Sequence, residues 1–241
     1  MPWGDKAVSP CVYTPAVADA SGWALDAGIT LADGSVGFTK SAPRNGLVAE
    51  FLKGNYTLDP NSKIAGWSDT SPNGYNMAQP IEGNRPVLVD GGAAFATATA
   101  ALIPPPAIHA ALVNAGEMTA VFRFKDYQRT AAERSFWGNS TNYLVRLNAF
   151  FNFYDNAFDS VGIAPDAPSK TTIAFLHKHQ VSIGGYNGSS IVSKASAIRL
   201  TGSDIKFGYG YPGPAYAVIY DAWFYNRLLS KEELDLIRDL P

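Results

Sequence analysis

The chain closes with DAWFYNRLLSKEELDLIRDLP, and this ending constrains the fold more than any other stretch. Ser230 is a favoured N-cap, and Glu233 three residues later completes a capping box in which side chains and backbone N–H groups pair reciprocally. Leu229 before the cap and Leu234 at the fourth helical position suit a hydrophobic staple. Glu232 and Glu233 complement the positive end of a helix dipole, and Arg238 sits near the negative end. Leu234, Ile237 and Leu240 recur at helical spacing, which predicts a short helix over 230–240. Residues 217–225 before it read as a long apolar strand, with Trp223 and Tyr225 expected on opposite faces. A strand that turns at 226–227 into so carefully capped a helix needs a sheet for the helix to pack on.

The rest of the chain supplies that sheet. In MTAVFRFK, Ala120, Phe122 and Phe124 share one face, while Thr119, Arg123 and Lys125 share the other. YLVRLNAFFNFYD reads as one continuous apolar row, Tyr143, Val145, Leu147, Ala149, Phe151 and Phe153, backed by Arg146, Asn148 and Asn152. TTIAFLHKHQVSIGGYNG predicts two short strands around a polar tip, with YNG as a turn. Many strands, turn signals between them and no alternating helices argue for an antiparallel sandwich. Residues 1–45 carry frequent Gly, Pro, Asp and Ser and no sustained periodicity. Two readings stay open for them: an edge strand with loops of the main domain, or an extended arm that docks on a neighbouring subunit.

Composition narrows the function classes. At 241 residues the chain suits one large sandwich or a sandwich with an extension. Its net charge is −2 and no run of Lys or Arg occurs, so nucleic-acid binding by phosphate neutralisation is not expected. The single cysteine, Cys11, cannot form an internal disulfide. GGAAFATATAALIPPPAIHAALV is apolar but broken by three prolines, so no membrane insertion is expected. MPWGDKAVSPCVYTP shows no basic region followed by an apolar stretch, so no secretory signal is expected and synthesis in a host cytoplasm is.

The closing YDAWFYNRLLSKEELDLI resembles the final signature of laminin-G-like domains in the concanavalin-A-like lectin/glucanase superfamily. Three further stretches follow in that family's order: GWSDTSPNGYNMAQPIEGNRPVLVDGGAAF, MTAVFRFK and VSIGGYNGSSI. The resemblance covers residues 46–240. It implies an all-β fold, a jelly-roll sandwich of two antiparallel sheets with a short C-terminal helix, over 46–241, with 1–45 as an N-terminal arm or extension. It does not imply one function, because the fold carries lectins, glycosidases and passive modules alike.

Glycoside hydrolysis needs two carboxylates in one cleft, about 5 Å or about 6.5–9.5 Å apart. Glucanases of the resembled superfamily carry Glu-x-Asp-x-x-Glu on one strand, and this chain has no such arrangement. Glu50, Glu82, Glu117 and Glu133 are scattered, so no enzyme is expected. His177 and His179 form His-x-His, read as solvated hairpin residues rather than metal ligands. DNAFDS places Asp155 and Asp159 beside one loop, which raises Ca2+ as a candidate ion, although an Asx turn explains the same residues. No cofactor is otherwise expected. In GYGYPGPAY, Tyr209, Tyr211 and Tyr216 are candidates for sugar or partner contact, as is Trp137.

Two functions follow. The first is a non-catalytic structural or binding module of a phage-type virion (head decoration, fibre or tail component), joined to other virion subunits by the arm and touching host glycans. The second is a free carbohydrate-binding lectin or a divergent glycosidase.

Overall fold

The computed structural model describes residues 41–125, 134–139, 143–155, 157–162, 169–201, 204–210 and 213–241, and two earlier strands. Those two, β1 (Trp23–Thr30) and β2 (Val36–Lys40), pair antiparallel with Leu25 opposite Phe38. A hairpin therefore stands where no sustained strand pattern is legible in the sequence. By contacts the chain divides into a unit containing this hairpin and a unit spanning Gly46–Asp239.

In the second unit, alternating apolar residues and Gly-rich turns produce two large antiparallel sheets. The larger holds β3 (Leu47–Leu58), β4 (Ile64–Asp69), β5 (Met77–Ala78), β6 (Val87–Val89), β7 (Gly92–Ala94), β8 (Glu117–Lys125), β13 (Thr171–Lys178), β14 (Ser182–Tyr186), β15 (Ile191–Ala195) and β19 (Val218–Tyr225). Its order is β15-β14-β13-β8-β19-β3-β4-β5, with β7 also on β19 and β6 on β7. The smaller holds β9 (Arg134–Gly138), β10 (Tyr143–Leu147), β11 (Phe151–Tyr154), β12 (Phe158–Val161) and β16 (Lys206–Phe207), in the order β12-β11-β10-β9-β16. The expected all-β antiparallel sandwich with a short C-terminal helix is the architecture of the chain.

Aromatic rings from both sheets fill the core. Phe122 of β8 meets Phe136 of β9 at 5.1 Å between centroids and Phe207 of β16 at 5.8 Å. Trp137 of β9 lies 4.7 Å from Phe224 of β19. Such tilted and edge-to-face pairs add about 0.5–1.5 kcal/mol each beyond the area they bury. Gly185 shows how close the sheets come: a Cβ there would stand 2.3 Å from the Phe151 ring, which explains the glycine in SIGGY.

Along β19 the outer face of the larger sheet is buried as well. Trp223 and Tyr225 are two residues apart and so share a face, contrary to the opposite placement expected. Both are buried on that outer face, where the C-terminal helix α2 (Lys231–Arg238) folds back. (The other helix, α1, is Pro106–Asn114.) The α2 cap forms as expected: Ser230 Oγ accepts from Glu233 N–H and Glu233 Oε2 accepts from Ser230 N–H. Leu229, Leu234 and Ile237 are buried beneath it. Thr119 Oγ1 donates to the Arg227 carbonyl at 2.8 Å and accepts from Leu229 N–H, fixing the linker. Arg123 Nη2 donates to the Ile237 carbonyl at 2.6 Å, at the electronegative end of α2.

Two further expectations are corrected. The continuous row in YLVRLNAFFNFYD is broken by a reversal at 148–150 into the hairpin β10–β11, with Val145 opposite Phe153 and Leu147 opposite Phe151. The apolar row survives because both arms turn the same face inward, while Phe150 at the tip is exposed. Helix α1 starts where the three prolines were read only as breaking an apolar run. Pro at the first helical turn lacks an N–H that would have had no partner there anyway.

Ser230→Ala should lower unfolding stability by about 0.5–2 kcal/mol, the usual cost of a lost N-cap. Chemical denaturation measures it, and an unchanged midpoint would contradict the structural role of the cap.

Candidate functional site

A cavity forms where the chain runs out of hydrogen-bond donors. Leu102 exchanges two backbone hydrogen bonds with Phe207, and Ile103 exchanges two with Ala78. The ladder cannot continue, because Pro104, Pro105 and Pro106 have no N–H. The chain instead turns into α1, anchored by buried Ile108 and Leu112. Between this turn and residues 204–206 lies a cleft of about 460 Å3, lined by Ile103, the three prolines, His109, Asp204, Ile205 and Lys206. That volume lies in the range of small-ligand sites.

One wall is apolar: the pyrrolidine rings together with Ile103, which is 43% exposed. Three polar groups edge it. His109 Nε2 is 3.2 Å from the Thr201 carbonyl, so an N–H there would donate to it. Lys206 Nζ lies 5.0 Å from the centroid of the Tyr209 ring. Asp204 is exposed and its φ of 53° places it in the left-handed region. Such a surface can cover an apolar face of a ligand while one carboxylate accepts and one ammonium donates at its edge. Among the described lining residues Asp204 is the only carboxylate, whereas glycoside hydrolysis uses two.

Three of the four glutamates weighed from the sequence are engaged elsewhere. Glu50 is buried and accepts from Thr70 Oγ1 at 2.9 Å and Trp223 Nε1 at 3.1 Å. Glu82 accepts from Asn61 Nδ2, and Glu117 pairs with Lys178. Glu133 lies outside the described residues.

The residues singled out from the sequence scatter. Tyr209 is half-buried on β17 (Tyr209–Gly210), which pairs with β18 (Gly213–Pro214), and borders the cleft through Lys206. Tyr216 is 38% exposed and Tyr211 lies outside the described residues. Trp137 is only 1% exposed, packed on Phe224 and Phe207, so as a ligand contact it is corrected to a core residue. Its position on β9, with Phe207 and Phe224 on either side, explains why. Asp155 accepts from the Thr201 N–H and hydroxyl, whereas Asp159 pairs with Lys194. Each carboxylate thus serves a different long-range partner, and Asp159 Oδ1 also accepts locally from Ser160 N–H at 2.9 Å.

His177 is corrected too. It is 4% exposed rather than solvated, and its Nε2 lies 3.1 Å from the Ile198 carbonyl. Burial holds its pKa below the ordinary 6.5. His179 stands beside it, ring to ring at 6.3 Å. Among the described residues no group of three His, Cys, Asp or Glu side chains gathers as a metal site would need.

The cleft residues Ile103, His109, Asp204 and Lys206 were not singled out in the sequence. Only the proline run marked the place.

No family model matches the chain, and no curated protein matches it. Solved structures do. A Trypanosoma rangeli sialidase mutant displaying trans-sialidase activity aligns with a TM-score of 0.55 at 14% identity, over 81% of this chain and 33% of its own. Trypanosoma rangeli sialidase in complex with sialic acid gives 0.55 at 12%, over 82% and 34%. The botulinum neurotoxin serotype D/C binding domain gives 0.52 at 10%, over 80% and 52%. The chain therefore spans about a third of the sialidases' length and about half of the neurotoxin domain's. At such identities the likeness is one of fold, a β-sandwich.

The buried imidazole generates a pH prediction. The unfolded chain protonates His177 near 6.5 and the folded chain only at lower pH, so stability is complete above 6.5 and falls on acidification. Carboxylates held low, Glu233 by its Arg227 hydrogen bond against burial and Asp235 by Lys231, act only below their ordinary 4.5 and 3.8. Wild-type Tm should therefore drop between about pH 6.5 and 5, and His177→Gln should flatten that drop. A wild-type Tm constant across the window would contradict this.

Proposed function

We propose that the chain is a non-catalytic glycan-binding module, a laminin-G-like sandwich carried on a phage-type virion and contacting host glycans through the Pro104–Lys206 cleft. The observation that carries the reading is the chemistry of the cleft. A pyranose ring offers one apolar face and a rim of hydroxyls, and the Ile103–proline wall with Asp204, His109 and Lys206 at its edge is complementary to both. A lone carboxylate among the described lining residues supports binding without hydrolysis. The reading requires no cofactor. The virion placement is supported by the resemblance of residues 46–240 to laminin-G-like domains and goes with the reading of residues 1–45 as an arm that docks on other virion subunits. Such a chain is made in the host cytoplasm and works on the particle, as a head decoration, fibre or tail component.

A free lectin or divergent glycosidase is the alternative, favoured by the likeness of fold to sialidases. The two separate on activity. The virion module should release no reducing ends from any glycan it binds, whereas turnover abolished by Asp204→Asn would establish the glycosidase.

Binding itself is tested on a glycan array followed by calorimetry on the best ligand. Lys206→Met should weaken affinity roughly tenfold or more, the loss expected for a hydrogen bond from a charged donor. Ile103→Asp, a change at an exposed position, should weaken it comparably without altering Tm. Unchanged affinity in both variants would move the site away from the cleft.

A further inference from the structure

The sequence has no basic run, but the fold assembles one in space. Lys53 of β3 and Lys170 just before β13 meet over Tyr220 of β19, and Arg123 and Lys125 stand on the adjoining strand β8, opposite Asp221 and Val218. Two acids lie among them, and each is engaged by one of the other cations. Asp221 is buried and pairs with Arg123 at 3.2 Å, also accepting the Lys53 backbone N–H at 2.8 Å. Asp90 pairs with Lys125. Among the described residues, Lys53 and Lys170 have no ion-pair partner; both ammonium groups lie over the same tyrosine, 5.5 and 5.4 Å from its ring centroid. Both lysines are exposed, whereas Tyr220 is 5% exposed.

Bare backbone lies beneath the cluster: a Cβ at Gly92 would stand 2.7 Å from Val218 Cγ1 and 2.9 Å from Tyr220 Cδ1, so the tyrosine ring sits where a larger residue would press on it. Burial, then repulsion from Arg123 and Lys53, lowers the pKa of Lys170 despite the attraction of Asp221. A ligand anion would relieve that repulsion.

We propose that Lys53 and Lys170 form a site for a tetrahedral oxyanion, the sulfate or phosphate ester of a polysaccharide. Nucleic acid fits less well. It would need a longer cationic track and an open aromatic face for base stacking, and Tyr220 presents neither. The site is distinct from the Pro104–Lys206 cleft and does not depend on it.

The test is calorimetry on the full chain with low-mass dextran sulfate, dextran phosphate and unmodified dextran, and with a duplex DNA of similar charge, at one ionic strength. At least one dextran ester should bind and unmodified dextran should not; which ester binds identifies the source of the oxyanion. Lys53→Gln/Lys170→Gln should reduce that affinity at least tenfold, Lys53→Arg/Lys170→Arg should retain it, and Lys178→Gln should leave it unchanged. If the double Gln variant loses its thermal transition, Lys170→Gln alone decides, with a severalfold loss expected. The proposal is overturned if neither ester binds, if the Gln variants bind as wild type, or if DNA binds more tightly than both esters.

Discussion

The structure depends on β19 being buried on both faces. Its inward row, with Ala222 and Phe224, joins the aromatic core between the sheets, and its outward row, with Asp221, Trp223 and Tyr225, is covered as well. A strand covered on one side only would have exposed two large aromatics and a carboxylate at its outer face. The C-terminal helix and the Arg123–Asp221 pair solve that together. Arg123 lies between Asp221 and the Ile237 carbonyl, with its guanidinium 5.4 Å from the Trp223 ring. A buried ion pair adds little net stability, but removing one partner typically costs about 3–5 kcal/mol because the other charge is left uncompensated. Glu50, bonded to Trp223 and Thr70, extends the same polar layer onto β3.

Both candidate binding surfaces are consequences of how the sheets end. The proline run stops the backbone ladder after Ile103 and leaves a cleft where another strand would otherwise pair. The lysine cluster forms where β3, β8, β13 and β19 bring distant cations together, with bare glycine backbone from β7 and its approach beneath. Neither surface needs a catalytic residue, and each meets a ligand through chemistry a sugar polymer supplies: apolar ring faces and hydroxyls at one, ester oxyanions at the other.

Local information was legible in the sequence where it is encoded over a few residues. The capping box of Ser230 and Glu233 and the hairpin β13–β14 follow from short-range spacing, and both formed. The reversal at 148–150 escaped notice because two arms facing the same core continue one alternating pattern. Trp137 and His177 were misplaced for a different reason. Whether an aromatic or an imidazole is covered depends on strands distant in sequence, Phe207 and Phe224 for one and Ile198 for the other. The cleft was hidden likewise, since Ile103, His109 and Lys206 meet only after β16 pairs with Leu102.

Hydrogen exchange tests the central dependence most directly. In the wild-type protein the amides of Tyr220, Ala222 and Phe224 should be among the slowest to exchange, with those of Leu234 and Ile237 protected in the same chain. In Arg123→Met, protection of β19 and of α2 should fall together, because one guanidinium serves both. Free exchange of α2 in the wild type, with β19 still protected, would contradict the account and leave the helix an ornament on a sandwich that stands without it.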